Sequence, residues 1–395
     1  MTVNERMSAA SAPVLAALAV AFFWAVEGTD VNAPQIERVA ILLSAVVLAW
    51  LTLRGSRQAA GSTSYLAILV AISERLRREP LRDGSDVLRA TSESIGIVLH
   101  GGNPYATCLQ STIPPCSPFV YPPGELAWYA IPRWLAGDIT RVDTWAGVLI
   151  VAAIALAGLK IGFDAVALPA MLYASWGIAG YRAIDGSNDV SASALLVFAG
   201  VALVFATGEG PWPRRAFIAS AALFGWAIAF KQFSLLVLPP VVRHLALNGA
   251  RWRRYLAIAL GVAGAFVLPF FVRDPGAFLN DQIGAIAFHQ EIWGTNLLHA
   301  LQQLGDPTGL EPLFTAIELF GTIALVVLVS TRWSAPTLGA AILVGAGIVL
   351  VPLLFAKWTT QPYYAYIGGL VVCGLALAGT TVSARIRADR RREAP

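Results

Sequence analysis

The chain has 395 residues, of which 57% are hydrophobic and only 13% are charged, and its formal net charge is +4. Soluble domains carry about a quarter charged residues, so this composition excludes a soluble protein. Apolar runs of about 15 to 20 residues recur along nearly the whole chain without alternation, which excludes a single anchor and a β-barrel. The sequence therefore predicts an all-α polytopic membrane protein with one membrane-embedded domain over residues 1–395.

The predicted apolar segments follow one another with two long polar interruptions, the first long loop (about 74–122) and the second long loop (about 273–314). Before the first long loop lie 13–26, 39–53 and the short piece 64–73, which either crosses the membrane or lies on its surface. After it lie 122–137, 143–161, 163–182, 190–207, 214–230, 234–247 and 254–272, and the last three helices are 315–331, 335–355 and 362–381. The total is about twelve or thirteen crossings.

Basic residues predict the orientation of these helices. Five arginines lie between 385 and 392, and Arg251, Arg253 and Arg254 form a second cluster beside an apolar helix. Cytoplasmic flanks are enriched in such residues, so we place both clusters inside and both long loops on the opposite face. An even number of crossings must then separate the loops. We expect 234–247 to cross only partly, because its paired prolines remove backbone hydrogen-bond donors.

The first long loop contains an acidic residue at the start of a predicted helix. The apolar pattern over 83–100 has a helical period and places Asp86 in the first turn. One interpretation is that Asp83, Ser85 or Asp86 simply caps this helix. The other is that Asp86 is a general base at a membrane face, kept ionised by Arg89 one turn away. The pattern alone leaves both interpretations open.

Two turn motifs and two cysteines follow in the same loop. The sequence GGNPY at 101–105 is typical of a helix end, and FVYPP at 119–123 is typical of a helix start. These features leave the tyrosines unexplained: Tyr105 and Tyr121 either belong to the interfacial aromatic belt or line a site. Cys108 and Cys116 bracket a short loop and are either two thiols or a disulfide, which would need an oxidising compartment.

Lysine is rare in this chain, since only three of the 28 basic residues are lysines. Lys231 and Lys357 each follow an apolar stretch, where a charge is costly unless it reaches the interface or serves a site. Lys357 belongs to a polar cluster that could hold a phosphate or a sugar, together with Gln361, Tyr363 and Tyr364. The polar break at 188–189 is either an ordinary loop or part of a polar lining.

The second long loop contains His289, Glu291, Trp293, Asn296 and His299. The spacing of the histidines and the glutamate matches no compact metal motif, so we expect no metal site. A tryptophan with asparagine and histidine neighbours indicates a surface that faces carbohydrate or the membrane interface. The chain has no glycine-rich nucleotide fingerprint, which makes a soluble nucleotide a poor candidate for a donor.

The first long loop resembles that of the GT-C glycosyltransferases. The likeness rests on Asp86, on GGNPY at 101–105 and on FVYPP at 119–123, with weaker agreement at 222–231, 294–301 and 361–364. It is greatest for the polyprenol-phosphate-dependent mannosyltransferases, which are related to actinobacterial mannosyl- and arabinofuranosyltransferases. In that family an aspartate of the first loop is the catalytic base, which implies this role for Asp86, although Asp83 is close enough to compete for it.

The resemblance implies an inverting enzyme with a GT-C fold and an active site on the non-cytoplasmic face. It would move mannose or a pentose such as arabinofuranose from a polyprenyl-phosphate donor to a hydroxyl of a lipid or glycan, without a cofactor or nucleic acid. The substrate-binding residues expected beside Asp86 are Arg89, Tyr105, Tyr121, Lys231, His289, Asn296, Lys357, Gln361 and Tyr363. A secondary transporter or lipid-linked-sugar flippase is the alternative, and it predicts acid–base pairs in the middle of helices.

Overall fold

A computed structural model describes residues 68–380 of the chain except 70–71, 74, 82–83, 208–209 and 289–290. The predicted segments 13–26 and 39–53, most of 64–73 and the basic tail at 385–392 therefore lie outside the described residues. Among the residues singled out above, Asp83 and His289 also lie outside them.

The described chain is helical almost throughout. Its first helices are α1 Asp86–Leu99, α2 Pro123–Ala136, α3 Val142–Ile161, α4 Phe163–Ser175, α5 Gly177–Asp185, α6 Asp189–Phe205, α7 Pro211–Phe230 and α8 Leu238–Leu247. The others are α9 Trp252–Arg273, α10 Pro275–Phe288, α11 Leu297–Gln302, α12 Glu311–Ala316, α13 Thr322–Arg332, α14 Leu338–Phe355 and α15 Pro362–Ala376. Short 3-10 turns cover Pro104–Ala106, Gln232–Val237 and Thr308–Leu310, and a π-helix covers Ile317–Gly321 between α12 and α13.

Two apolar segments differ from uninterrupted helices. The predicted helix 163–182 is wrong as one piece, because the backbone becomes extended at Trp176 and divides it into α4 and α5. The break lets the Trp176 ring pack on Gly368 of α15, where even a β-carbon would lie 1.3 Å from the ring. The segment 234–247 begins as a 3-10 turn and becomes helical at Leu238, with the paired prolines in the first turn of that helix; its partial crossing of the membrane stays a prediction.

Four described helical stretches are long and apolar enough to cross a membrane. They are Val142–Ile161, Trp252–Arg273, Thr308–Arg332 and Leu338–Phe355. The pair Gly177–Asp185 and Asp189–Phe205, bent by 117°, would make a fifth. The predicted twelve or thirteen crossings also counted shorter helices, such as Pro362–Ala376, and segments outside the described residues.

Helix α6 lies at the centre of the described bundle and is packed by α3, α7 and α15. Nearly all of its side chains are buried, and many are small. Small residues on facing helices let backbones approach closely: a β-carbon at Gly369 of α15 would lie 2.6 Å from the Ser193 hydroxyl of α6. The close packing fixes the polar residues at the first turn of α6 relative to the surrounding helices.

The second long loop is joined to the segment before α15 by a short parallel strand pair. Strand β1 is Trp293–Gly294 and strand β2 is Trp358–Thr359, and the two tryptophan rings stack with centroids 5.7 Å apart. Gly294 has φ +106°, and a β-carbon there would lie 1.9 Å from the Thr359 carbonyl oxygen, so only glycine fits. This pairing brings two predicted site regions together.

Candidate functional site

The start of α1 separates the two interpretations of its acidic residue. Ser85 is the N-cap, and its hydroxyl accepts a hydrogen bond from the Val87 amide at 3.2 Å. The capping interpretation therefore applies to Ser85. Asp86 is half-buried, and its Oδ2 accepts a hydrogen bond from the Ile113 amide at 3.3 Å. The carboxylate of Asp86 is not used for capping, and the residue is partly exposed.

The turn between α5 and α6 packs directly against the start of α1. The Ser85 amide donates to the Asp185 carbonyl at 2.7 Å, and a β-carbon at Gly84 would lie 2.6 Å from the same oxygen. Arg182 pairs with the Asp185 carboxylate at 2.5 Å and donates to Gln361 Oε1 at 2.7 Å. The beginnings of α1 and α15 and the end of α5 therefore meet at one place.

A buried polar cluster lies behind this meeting point. Lys231 Nζ contacts Asp189 Oδ1 at 2.5 Å and Asn188 Oδ1 at 3.2 Å. Asn188 donates to Glu125 at 2.9 Å, and Thr91 donates to the other oxygen of Glu125 at 2.6 Å. All five residues are at most 3% exposed. The cluster connects α1, α2, α6 and α7 through side chains alone.

The environment of Lys231 shows whether its ammonium group reaches the membrane interface. Lys231 ends α7, and its ammonium group points inward to Asp189 rather than outward to the interface. The ammonium group also lies 4.6 Å from the centre of the Tyr363 ring, a cation–π contact. The interpretation that Lys231 reaches the interface is wrong, because the ion pair stabilises it inside the protein.

Tyr121 feels the charges of both Asp86 and the acids of the buried polar cluster. Burial raises the pKa of its hydroxyl well above the ordinary value. The neighbouring groups that raise it further are Tyr363, Glu125, Asp189 and Asp86. The ring also packs edge-on against Phe119 at 5.7 Å. Tyr121 is thus a neutral phenol that the structure places among the acidic groups of this region.

Tyr105 lies in an aromatic cluster of the first long loop. Its hydroxyl donates to the Tyr121 carbonyl at 2.8 Å. Its ring contacts Phe119 in the same loop, Phe270 at the end of α9 and Phe278 in α10, with centroids 4.9 to 5.7 Å apart. Tyr105 therefore connects the first long loop to the second.

Further contacts hold the two long loops together. The Phe119 amide donates to Asp281 Oδ2 at 3.0 Å, and Gln282 donates to the Phe119 carbonyl at 3.3 Å. Arg273 donates to the carbonyls of Gly101 and Gly102 at 2.7 and 3.2 Å. The two long loops, which were predicted to lie on one face of the membrane, are therefore in direct contact with each other.

Ionisation of the buried Asp281 carboxyl should lower the stability of the protein as pH rises. Burial raises the pKa of Asp281 to about 6 from an ordinary 3.8, although the Phe119 amide opposes the shift. An acid with a raised folded pKa contributes stability below its unfolded pKa and loses it as pH rises through the folded value. We expect Asp281→Asn to match the wild type in Tm near pH 4 and to exceed it by a few degrees at pH 7. Thermal unfolding in detergent at both pH values measures this, and a difference independent of pH would contradict it.

Lys357 lies apart from the buried polar cluster. It forms an ion pair with Glu311, and both side chains are partly exposed. The pair lines an open groove of about 520 Å³ that continues along the candidate span Thr308–Arg332. The other residues lining the groove are Thr308, Pro312, Thr315, Ala316, Leu319 and Phe320.

Asn296 has a clear local role. It is the N-cap of α11, with Oδ1 accepting from the His299 amide at 2.7 Å. Its amide group donates to the carbonyls of Trp293 and Lys357 at 2.9 and 3.2 Å. Asn296 therefore stabilises the pairing of β1 with β2.

The structure brings together some of the predicted catalytic and substrate-binding residues. One region is surrounded by Asp86, Tyr121, Lys231, Gln361 and Tyr363. The connections around this region contain Tyr105, Asn296 and Lys357. Arg89 is exposed on α1, and among the described residues it has no hydrogen bond or ion pair, including with Asp86. The described residues also form no group of three metal-ligating side chains.

Sequence reasoning missed three residues of this region: Glu125, Arg182 and Thr91. A signal existed for Glu125, because an acid in the first turn of an otherwise apolar membrane helix marks a functional site by default. Thr91 and Arg182 gave no such signal, since each resembles an ordinary residue of a polar helix face. Their partners lie 34 and 179 residues away in the sequence.

The two cysteines of the first long loop form a disulfide, with Cα atoms 4.3 Å apart. Cys373, by contrast, is free and buried in α15. The interpretation of Cys108 and Cys116 as two unpaired thiols is therefore not supported.

Comparison with solved structures identifies the fold of this chain. No protein-family model and no curated protein sequence matches the chain. The crystal structure of ArnT from Cupriavidus metallidurans in the apo state aligns with a TM-score of 0.50 at 17% identity, covering 79% of this chain and 58% of that one. The structure of ArnT from the same organism bound to undecaprenyl phosphate aligns with a TM-score of 0.46 at 16% identity, covering 80% and 58%. This chain thus spans less than two thirds of the ArnT chain, and it is a multi-pass helical membrane protein with the GT-C fold of ArnT.

Proposed function

We propose that this chain is an inverting glycosyltransferase that moves a sugar from a polyprenyl-phosphate donor to a hydroxyl of a lipid or glycan. The GT-C fold and the motifs of the first long loop support the reaction class. One observation carries the assignment of the base: because Ser85 caps α1, the Asp86 carboxylate is left half-buried and accessible. It lies where the first long loop meets the α5–α6 turn and the start of α15.

The chemistry needs one carboxylate at this place. Asp86 would accept the proton of the acceptor hydroxyl while the oxygen attacks the anomeric carbon from the side opposite the phosphate. The bond between the anomeric carbon and the phosphate oxygen breaks, and polyprenyl phosphate leaves with the electron pair. The sugar is inverted at the anomeric carbon, and no covalent enzyme intermediate is required.

The departing phosphate needs a cation, and three were expected. Lys231 is paired with Asp189 and Lys357 with Glu311, so each would have to exchange a carboxylate for the phosphate. Arg89 has no such partner among the described residues, and it lies three positions after Asp86 on the same helix face. We therefore assign the phosphate contact first to Arg89.

The proposed active site faces the non-cytoplasmic side. The disulfide between Cys108 and Cys116 lies in the first long loop, and disulfides persist in oxidising compartments. The loop also carries Asp86 at the start of α1. A lipid-linked donor could enter such a site laterally from the bilayer, which agrees with the missing nucleotide fingerprint. Mannose and arabinofuranose are the donor sugars to be tested first.

The transporter alternative predicts acid–base pairs in the middle of helices. The buried pair found here does not have that position, since Lys231 ends α7 and Asp189 begins α6. Both residues border the loops that surround Asp86. We therefore favour an enzyme over a transporter.

The direct test uses the purified protein in detergent with radiolabelled polyprenyl-phosphate mannose and, separately, polyprenyl-phosphate arabinofuranose. We expect sugar transfer to an added lipid or glycan hydroxyl, or slow hydrolysis of at least one lipid donor, and no turnover of GDP-mannose. Proteoliposomes provide the contrasting measurement. Movement of the lipid-linked sugar across the membrane without any product from these donors would contradict the proposal and favour a flippase.

A further inference from the structure

The segment from Cys108 to Cys116 forms a compact loop, called here the disulfide loop (108–116). Beside the disulfide, the Cys116 amide donates to the Leu109 carbonyl at 2.8 Å. The Thr112 hydroxyl donates to the same carbonyl at 3.0 Å and accepts from the Ser117 amide at 3.1 Å. Leu109 and Thr112, which belong to the loop, are buried. The loop therefore has a defined shape, so that holding one part of it also fixes the position of the rest.

Glu93 attaches this loop to α1. Its Oε1 accepts from the Gln110 amide at 3.1 Å, and its Oε2 accepts from the amide and hydroxyl of Ser111 at 2.9 and 2.5 Å. Burial opposes ionisation of Glu93, but these hydrogen bonds outweigh it and hold the pKa of the carboxyl below its ordinary value. Glu93 is thus an ionised anchor with three donors from two neighbouring residues.

The second attachment of the loop is Asp86 itself. Ile113 is 69% exposed at the tip, yet its amide points back to Asp86 Oδ2 at 3.3 Å. Among the described residues, this is the hydrogen bond that the Asp86 side chain accepts. Glu93 lies seven positions after Asp86, almost two helical turns, so both carboxylates are on one face of α1. The disulfide loop therefore spans these two attachment points.

We propose that Glu93 is a positioning residue for the candidate base and acts through the disulfide loop. The inference rests on the proposed function of Asp86. With Oδ2 held by the Ile113 amide, the carboxylate cannot rotate freely, and Oδ1 is left to accept the proton of the acceptor hydroxyl. Loss of the Glu93 anchor or of the disulfide releases the loop, so that Asp86 loses its fixed orientation while the donor site is unchanged.

The test measures turnover per donor-binding site, with sites counted by binding of labelled polyprenyl phosphate. Counting sites removes the effect of misfolded protein, which a merely structural role would produce. We expect Glu93→Ala to lower turnover per site about tenfold, the size of one lost hydrogen bond to a charged group, with unchanged affinity for polyprenyl phosphate. Glu93→Gln retains one acceptor oxygen and should lie between this variant and the wild type.

The disulfide supplies an independent arm of the experiment. The double variant Cys108→Ser with Cys116→Ser should show the same loss as Glu93→Ala. Dithiothreitol should lower wild-type turnover by the same factor and leave the double variant unaffected. Glu79→Ala removes an exposed carboxylate shortly before α1 and serves as the matched control, with wild-type turnover expected.

A double-variant cycle shows whether Glu93 acts through Asp86. In the Asp86→Asn background, Glu93→Ala should not lower turnover per site any further. An equal loss of turnover in both backgrounds would contradict the proposal. Wild-type turnover per site in Glu93→Ala and in reduced protein would overturn this inference and leave the proposed function standing. Absence of transfer by the oxidised wild type would instead count against the proposed function itself.

Discussion

Replacing Asp86 by asparagine is expected to lower the rate of sugar transfer by about 10²- to 10⁴-fold, the contribution of a general base. Asparagine keeps the shape of the side chain and can still accept the hydrogen bond from the Ile113 amide, but it cannot accept the proton of the acceptor hydroxyl. Capping of α1 is unaffected, because Ser85 supplies it. The rate should therefore fall without loss of folded protein.

Single-turnover transfer from the lipid donor gives the rate, and binding of polyprenyl phosphate gives the donor affinity, which should be unchanged. The matched control is Asp138→Asn, an exposed aspartate in the turn after α2 whose contacts are to Thr140. This variant should transfer at the wild-type rate. If Asp86→Asn also transfers at that rate, Asp86 is not the base, and a different carboxylate must be sought.

The sequence predicted the helices well because their signal is local. Apolar runs of membrane length and proline-led helix starts depend on neighbouring residues alone, so α3, α9 and α14 lie where the pattern placed them. The break at Trp176 was not predicted, since it accompanies packing of the Trp176 ring on Gly368, a residue of another helix. An apolar sequence of that length gives no indication of where a partner helix will interrupt it.

The two lysines show why the site was only partly predictable. Lys231 and Lys357 both follow an apolar stretch and carry the same local signal, yet Lys231 is buried and Lys357 is partly exposed. What separates them is the position of a partner acid, Asp189 in one case and Glu311 in the other. Each acid lies more than 40 residues away in the chain, and only the packing of the helices brings it close.

The buried ion pair of Lys231 with Asp189 should have a large effect on stability. Replacing Lys231 by methionine keeps a similar volume but leaves Asp189 buried without its partner. Removing one member of a buried pair is destabilising by about 3 to 5 kcal/mol, whereas replacing both members by neutral groups is often nearly neutral. We therefore expect Lys231→Met to lower the apparent Tm strongly and the double variant Lys231→Met with Asp189→Asn to recover most of it.

Thermal unfolding in one detergent at a fixed scan rate measures these differences. Lys160→Met, which removes the exposed lysine of the last turn of α3, is the matched control and should change the free energy of unfolding by no more than about 0.5 kcal/mol. If the double variant is as unstable as Lys231→Met, the charges are not what holds this region together, and the expectation is wrong.

The same double variant also separates the two roles that Lys231 could have in the enzyme. A purely structural lysine predicts that the neutral double variant, once stable, transfers sugar normally. A lysine that exchanges Asp189 for the departing phosphate predicts a stable protein with a reduced rate and weaker binding of polyprenyl phosphate. Because Lys231 and Asp189 are both buried and paired with each other, and because the phosphate contact is assigned first to Arg89, we expect the first result.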